Sequence, residues 1–419
     1  MRRRLLALSC VTASLVSACS VLPGGHGRHT VTVWLMKDSA SPDFLRRFTK
    51  DFERTHKDLR LDIRIQDWSG IVPKVRKALQ DDSGDGPDVI EVGNTQVPLY
   101  AEGGRLADLT LEAVRYWDKD KWLPGLAAPG KDGNSQYGIP WYAANRVVIY
   151  RKDLFAQAGI TRPPRTREEW LTDTERLNSG GNQGIYLAGQ DWYTLAGFIW
   201  DEGGDLARAK GYDWRGTLDT PAALRGMDFY RRLQALGRGP VAADEQHPPQ
   251  AGVFAGGEVA QIIAVPGLAT SIVRQNPGLK GQLGFFPVPG RSAARPGTVL
   301  TGGSDLVVPR NTEDQFAATA VVGALTGAKW DTELARTMNY VPNKTTLAGA
   351  VAGEEGAAAM VAGAAHGRAT PITPQWADVE ADNPIKDYMT RVLMTGADPA
   401  TEARRASRRI TEALSPPLG

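Results

Sequence analysis

Between Thr30 and Gln96 three strand-like segments alternate with two helix-like ones, and this alternation limits the chain to a narrow set of folds. Val31, Val33 and Leu35 recur at every second position from Thr30 to Met36, which predicts a strand. Ser41-Pro42 then supplies a helix N-cap and a proline at the first helical position. Phe44, Leu45, Phe48 and Phe52 form that helix's apolar face. Leu59, Leu61, Ile63 and Ile65 alternate with charged residues as a second strand, and Ile71, Val75, Ala78 and Leu79 mark a second helix. Pro87 closes the next loop, and Val89, Ile90 and Val92 make a short buried strand. Right-handed crossovers turn such a β-α-β-α-β run into parallel neighbours, so the fold class is α/β and the carboxyl ends share one edge. That edge collects Lys37-Asp38-Ser39, Gln66-Asp67-Trp68 and Gly93-Asn94-Thr95-Gln96. Ligands of open α/β sheets bind at such an edge. Taken alone, Gly93 to Gln96 reads first as a turn followed by a helix cap.

The remaining chain is too long for one typical domain, at 419 residues in all, so two lobes are expected. Tyr137 to Tyr142 and Val147 to Tyr150 are extended segments on either side of a short break, as in a chain leaving one lobe for another. Thr166-Arg167-Glu168-Glu169 has capping-box spacing. Thr220-Pro221 opens another helix, Phe254 to Ile263 reads as helix, turn and strand, and Leu283 to Phe286 as a strand. The paired glycines of Leu300 to Pro309 precede a strand that returns to the first lobe, followed by a helix with Phe316, Ala320, Val321 and Leu325 on its apolar face. Tyr340 to Asn343 crosses once more.

A formal net charge of +2 leaves no basic excess to drive nucleic-acid binding. Arg2-Arg3-Arg4 and the short apolar run Leu5 to Val16 read as a secretory leader, too short to span a bilayer stably. Small residues ahead of Cys19 resemble the bacterial lipobox, which predicts a signal peptide over 1–19, cleavage after Ala18 and a lipid on the Cys19 thiol. The 2 cysteines, Cys10 and Cys19, both lie here, so no downstream disulfide or thiolate metal site can form. Residues 20–29 read as a flexible tether.

The order of these parts resembles the family 1 extracellular solute-binding proteins of carbohydrate ABC importers, relatives of maltose-binding protein. The resemblance rests on the lipobox, Val31 to Trp34, Gly86 to Val89, Gly138 to Tyr142, Phe254 to Gly257, Gly302 to Asp305 and Val341 to Lys344. Asp88 to Gln96 is most similar to the actinobacterial branch, which includes importers of chitobiose, N-acetylglucosamine and cellobiose. Val265-Pro266-Gly267-Leu268 departs from the family, where many members carry a stacking Trp. The resemblance implies a two-lobe, periplasmic-binding-protein-like fold of type II with a hinge and an interlobe cleft. Residues 30–142 and 304–342 would form the first lobe, and 143–303 and 343–419 the second. It also implies a monomer without cofactor, anchored outside the membrane, that closes on a carbohydrate and docks on a permease driven by a separate ATPase.

A sugar presents apolar C–H faces and a rim of hydroxyls, so it suits flat aromatic platforms edged by polar side chains. Candidate platforms are Trp68, Trp141, Tyr142, Trp192, Trp200 and Trp376. Candidate rim groups are Lys37, Asp38, Asn94, Gln96, Asp191, Ser304 and Asp305, with Gly303 beside them. Each Trp reads equally as core, and each charge as a solvated loop residue. Glu91 reads as a paired strand carboxylate. The rival class is a glycosidase, which needs two carboxyl groups flanking a sugar, and Asp38, Asp67, Glu91, Asp191 and Asp305 are the residues to draft. A second rival is capture of a polyamine, iron chelate or peptide. No HExxH, Walker A or G-x-S-x-G motif is present.

Overall fold

The computed structural model describes residues 28–68, 70–81, 83–211, 213–394 and 397–415. The expected leader, the lipobox with Cys19 and most of the tether lie outside the described residues. The described residues build a six-stranded and a three-stranded sheet that share no strand, with two small two-stranded sheets besides. The first contains β1 (His29–Met36), β2 (Leu59–Gln66), β3 (Val89–Gly93), β4 (Ile139–Ala144), β8 (Gly302–Val307) and β9 (Val341–Pro342), in the order β9-β4-β8-β3-β1-β2. The second contains β5 (Val147–Arg151), β6 (Gln261–Ala264) and β7 (Leu283–Pro287), with β5 central.

β1 pairs in parallel with β2 and β3, as the opening alternation predicts. Both faces of this sheet are covered over its interior strands, which is why β3 is buried on both sides while the edge strand β2 keeps alternating charged residues. On one face α1 (Pro42–Thr55) buries Phe44, Phe48 and Phe52 against Val31, Val33 and Leu35. On the other, α2 (Ile71–Gln80) buries Ile71, Val75 and Leu79 against Met36, Ile90 and Val92. Ser41 caps α1 by accepting from the Phe44 N–H at 3.2 Å. The Thr166 cap forms too, but Glu169 accepts from the Arg165 N–H at 2.8 Å rather than completing a reciprocal box. α4 (Gln315–Leu325) turns Ala317, Ala318, Val321, Val322 and Leu325 inward and leaves Phe316 84% exposed, so Phe316 is not on the apolar face expected for it.

The chain passes between sheets at the break between β4 and β5, again ahead of β8, and again after β9. Ala143 and Val341 from the first sheet pack with Val147, Ile149 and Ile262 from the second, so these passages share one apolar cluster. The first sheet runs to Ala144 and resumes at Gly302. Segment 343–351, expected in the second lobe, instead packs on the first. Asn343 Nδ2 donates to the carbonyls of Pro140 and Thr326, Lys344 Nζ pairs with Asp118 at 3.0 Å, and Val351 is buried in the first-lobe core. A buried amide finds its acceptors there, and none of these bonds reaches the second sheet.

Around β5, helices supply a separate core. α3 (Trp192–Asp201) is buried along almost its whole length, and α6 (Trp376–Asp382) lays Trp376 and Val379 beside it. α5 (Ala328–Met338) leads into β9 on the first lobe.

Candidate functional site

Parallel pairing of β1, β2 and β3 sets their carboxyl ends side by side, with Met36 opposite Gln66. The Lys37 N–H donates to the Gln66 carbonyl at 2.8 Å, which ties the two end loops together. Lys37 Nζ lies 3.9 Å from Asp67 with both side chains well exposed. Asp38 adopts a left-handed φ of 65°, and its carbonyl accepts from the Tyr340 hydroxyl at 3.3 Å. Trp68 is 42% exposed. Gln96 is half-buried, with Oε1 accepting from the Tyr100 hydroxyl at 3.4 Å.

Glu91 lies beneath this edge and is fully buried. It accepts from the Met36 N–H at 2.7 Å, Ser39 Oγ at 2.7 Å, Ser304 Oγ at 2.6 Å and the Tyr142 hydroxyl at 3.0 Å. Burial pushes its pKa up and these donors oppose the shift. Tyr142 also stacks on Tyr340, centroids 4.1 Å apart at 6°. Ser304 and Tyr142 are thus members of one satisfied network. Gly303 makes it possible: its φ is 147°, and a Cβ there would lie 2.2 Å from the Tyr142 carbonyl oxygen.

The second lobe faces this edge with Asp191 to Tyr193 and α6. Asp191 is the N-cap of α3, accepting from the Thr194 N–H at 3.1 Å and Thr194 Oγ1 at 2.6 Å. Arg146, from the break between β4 and β5, lies 3.6 Å from Asp191, pairs with Glu245 and sits 4.5 Å from the Tyr193 ring centroid. Burial and the neighbouring Glu245 raise the Asp191 pKa, against the pull of Arg146. Trp192 stacks on Tyr193 at 4.2 Å and lies 6.4 Å from Trp376. Trp376 Nε1 donates to Glu380 Oε1 at 2.9 Å. Burial pushes the Glu380 carboxyl up to about 7, opposed by hydrogen bonds from Trp376 and from Thr95.

Thr95 and Glu380 belong to different lobes. Thr95 follows β3 in the first lobe, whereas Glu380 is on α6 of the second. Ala377 of α6 also packs on the first-lobe cluster containing Met36 and Leu99. At Gly267 a Cβ would lie 3.2 Å from the Met338 carbonyl of the first lobe, a tight contact that a side chain there would have to relieve by a small shift. The predicted residues thus fall into two groups, Lys37, Asp38, Trp68 and Gln96 on the first lobe's edge, and Asp191, Trp192 and Trp376, all buried, on the second lobe.

Besides these, Tyr142 and Ser304 belong to the buried Glu91 network beside Gly303, and four more predicted residues stand apart from the edge. Trp141 has no exposed surface and packs with Ile139, Leu306 and Val351, because β4 is an interior strand covered on both faces. Asp305 is fully buried away from the edge, because the strand irregularity between Ser304 and Asp305 turns it toward Gly130 and Gly138. Both its carboxylate oxygens lack a partner, and burial raises its pKa well above the usual range. Asn94 is 2% exposed and spends its amide on the Thr301 carbonyl at 3.1 Å. Trp200, at the far end of α3, lines a groove of about 460 Å³ with Pro124 and Gly125 of the first lobe and Trp214 and Arg368 of the second.

Sequence reasoning placed Thr95 on the edge without naming it as a rim group, and missed Arg146, Tyr193, Tyr340 and Glu380. A signal existed for Glu380, which follows Trp376 by one helical turn on the same face. Arg146 is a lone cation between two apolar strands. Among the described residues no group of three or more His, Cys, Asp or Glu side chains could hold a metal ion. The carboxylates at the lobe junction are engaged by hydrogen-bond donors or Arg146, an arrangement suited to holding a polar solute.

The model of the bacterial extracellular solute-binding proteins matches residues 38–332. The diacetylchitobiose binding protein DasA of Streptomyces coelicolor is 34% identical over 429 aligned positions, covering 99% of each chain. The sugar-binding protein MalE of Xanthomonas citri superposes with a TM-score of 0.81 at 22% identity, over 92% of this chain and 97% of that one. The GacH receptor of Streptomyces glaucescens, solved unliganded and with acarbose, gives a TM-score of 0.77 at 23% identity, over 92% and 98%. These two structures share the two-lobe fold. By the family match and the end-to-end identity, the chain belongs to the bacterial extracellular solute-binding proteins and is a solute binder, not an enzyme.

Proposed function

We propose that this chain is the sugar-capturing component of an ABC importer and that it takes a short N-acetylated saccharide of the diacetylchitobiose type. The observation that carries this reading is the 34% identity to a diacetylchitobiose binding protein over 99% of both chains. The lobe junction supports it, since aromatic rings at Trp192, Tyr193 and Trp376 stand beside polar groups at Thr95, Arg146 and Glu380. Lys37, Asp38, Trp68 and Gln96 edge the same junction from the first lobe, which runs over 30–144 and 302–351 on this reading. Closure brings the lobes together over the sugar, and the closed monomer docks on a membrane permease served by a separate ATPase. The lipid on Cys19 holds the working body on the outer face of the membrane.

A thermal-shift panel tests the reading. Diacetylchitobiose at a hundredfold excess over its Kd adds about 2.7 kcal/mol to the native state and raises the melting temperature. A panel in which only polyamines or iron chelates shift melting would replace the sugar reading. For the anchor, Cys19→Ser is expected to move the protein from the membrane fraction to the soluble one, and retention on the membrane would contradict lipidation there.

A further inference from the structure

A groove of about 560 Å³ runs between α1 and β2 on the outer flank of the first lobe. β2 is an edge strand that pairs only with β1. α1 buries Leu61, leaves Ile63 half-buried and leaves Ile65 50% exposed. Leu45, Ile63 and Ile65 thus give the groove an apolar strip, and Arg46 and Lys50 stand beside it. Glu53 is the one carboxylate in the lining, and it is already engaged by Arg28 Nη1 at 3.2 Å and by the Leu61 N–H at 3.1 Å. Lys50 is exposed and pairs with no carboxylate among the described residues. From Pro42 to Gln66 Lys and Arg outnumber Asp and Glu, whereas over the chain after Cys19 they do not. The flank is therefore an exposed apolar strip edged with spare positive charge, the kind of surface that marks an interaction site.

We propose that this flank rests on the membrane surface: Leu45, Ile63 and Ile65 enter the boundary between headgroups and acyl chains, and Arg46 and Lys50 meet anionic phosphates. The inference rests on the lipid anchor at Cys19 and goes beyond it. Arg28, the first described residue, is held on Glu53 in the groove wall, with Nη2 also donating to the Glu53 carbonyl at 3.1 Å. Nine residues separate it from Cys19, a reach of about 30 Å at full extension. The anchor therefore keeps this flank within reach of the headgroups. A second copy fits the flank less well, because β2 alternates Arg60, Asp62 and Arg64 with its apolar residues, and such charges oppose edge-to-edge pairing. Arg and Lys stems lie along apolar surface while their heads stay with water or phosphate, which suits them to this border. A lobe lying on this flank keeps the carboxyl-end edge with Lys37 and Asp38 at the end of its strands, clear of the bilayer.

The experiment places the full chain in vesicles that carry a nitroxide-bearing lipid, with a thiol-reactive dye on Ile65→Cys or on Arg215→Cys in the exposed hairpin of the second lobe. Vesicles of phosphatidylcholine alone are compared with vesicles that also contain phosphatidylglycerol. In the anionic vesicles, lipid quenching of the dye on Ile65→Cys is expected to exceed that on Arg215→Cys by about twofold or more. It is expected to fall by a similar factor when Lys50→Glu is added or the salt is raised, since salt screens exposed charge. Quenching that is equal at the two positions, or indifferent to phosphatidylglycerol and to Lys50→Glu, overturns the inference. Shielding of the dye that grows with protein concentration and not with lipid assigns the groove to a second copy and overturns it as well. Wild type is expected to take up no dye, because Cys10 leaves with the leader and lipid blocks Cys19. Dye on wild type overturns the anchor reading and this inference with it, whereas the other failures leave the anchor standing.

Discussion

Trp376 and Glu380 stand one turn apart on α6, so the indole N–H reaches the carboxylate at 2.9 Å while burial raises its pKa from 4.5 to about 7. The consequence for stability has a definite sign. Between those two values the folded chain holds a proton that the unfolded chain has lost. The contribution is therefore complete below about pH 4.5 and is lost as pH rises through about 7, an effect on the order of 3 kcal/mol. In urea unfolding, wild type is expected to lose more stability between pH 5 and pH 8 than Glu380→Gln does. Equal losses would remove Glu380 as the source. Trp141 gives a second expectation. As a fully buried core side chain it should cost about 3–5 kcal/mol of stability on replacement by alanine, and a Trp141→Ala protein as stable as wild type would mean the ring is not core. At this scale the sequence was legible for residue type and poorly legible for direction. Asp305 and Asn94 sit at strand ends where a ligand would want them, yet a strand irregularity buries one and a carbonyl claims the other. Neither a bulge nor a distant acceptor leaves a mark in local spacing.

Elements were far easier to read. The alternation of β1, α1, β2, α2 and β3 follows from period-two and period-3.6 patterns and from caps such as Ser41, all of which are local. What escaped was the return of 343–351 to the first lobe, because the acceptors that hold Asn343 come from Pro140 and Thr326. Glu91 is the clearest case of an element-scale role. Its bonds join β3 to the end of β1, to β4 and to β8, so one carboxylate fixes the loop with Lys37 and Asp38 as well as the strand that returns from the second lobe. Glu91→Ala strands these buried donors and is expected to lower unfolding free energy by ~3–5 kcal/mol in a denaturant titration. A loss below 1 kcal/mol would mean that water or local rearrangement replaces the network.

The whole molecule is organised around two main sheets with separate cores, joined where Ala143, Val147 and Val341 share a cluster and near each other again at Thr95 and Glu380. An extracellular solute-binding protein works by that geometry, since a solute held by both lobes favours the form in which they meet. Length and the order of parts made this architecture readable from sequence. The pairing across the junction was not, because it depends on how close the lobes come. The most direct test is calorimetry with diacetylchitobiose followed by mass analysis of the recovered ligand. The expected result is saturable binding to one site with the disaccharide returned intact. No binding to this or any other saccharide, or recovery of cleaved sugar, would contradict the account.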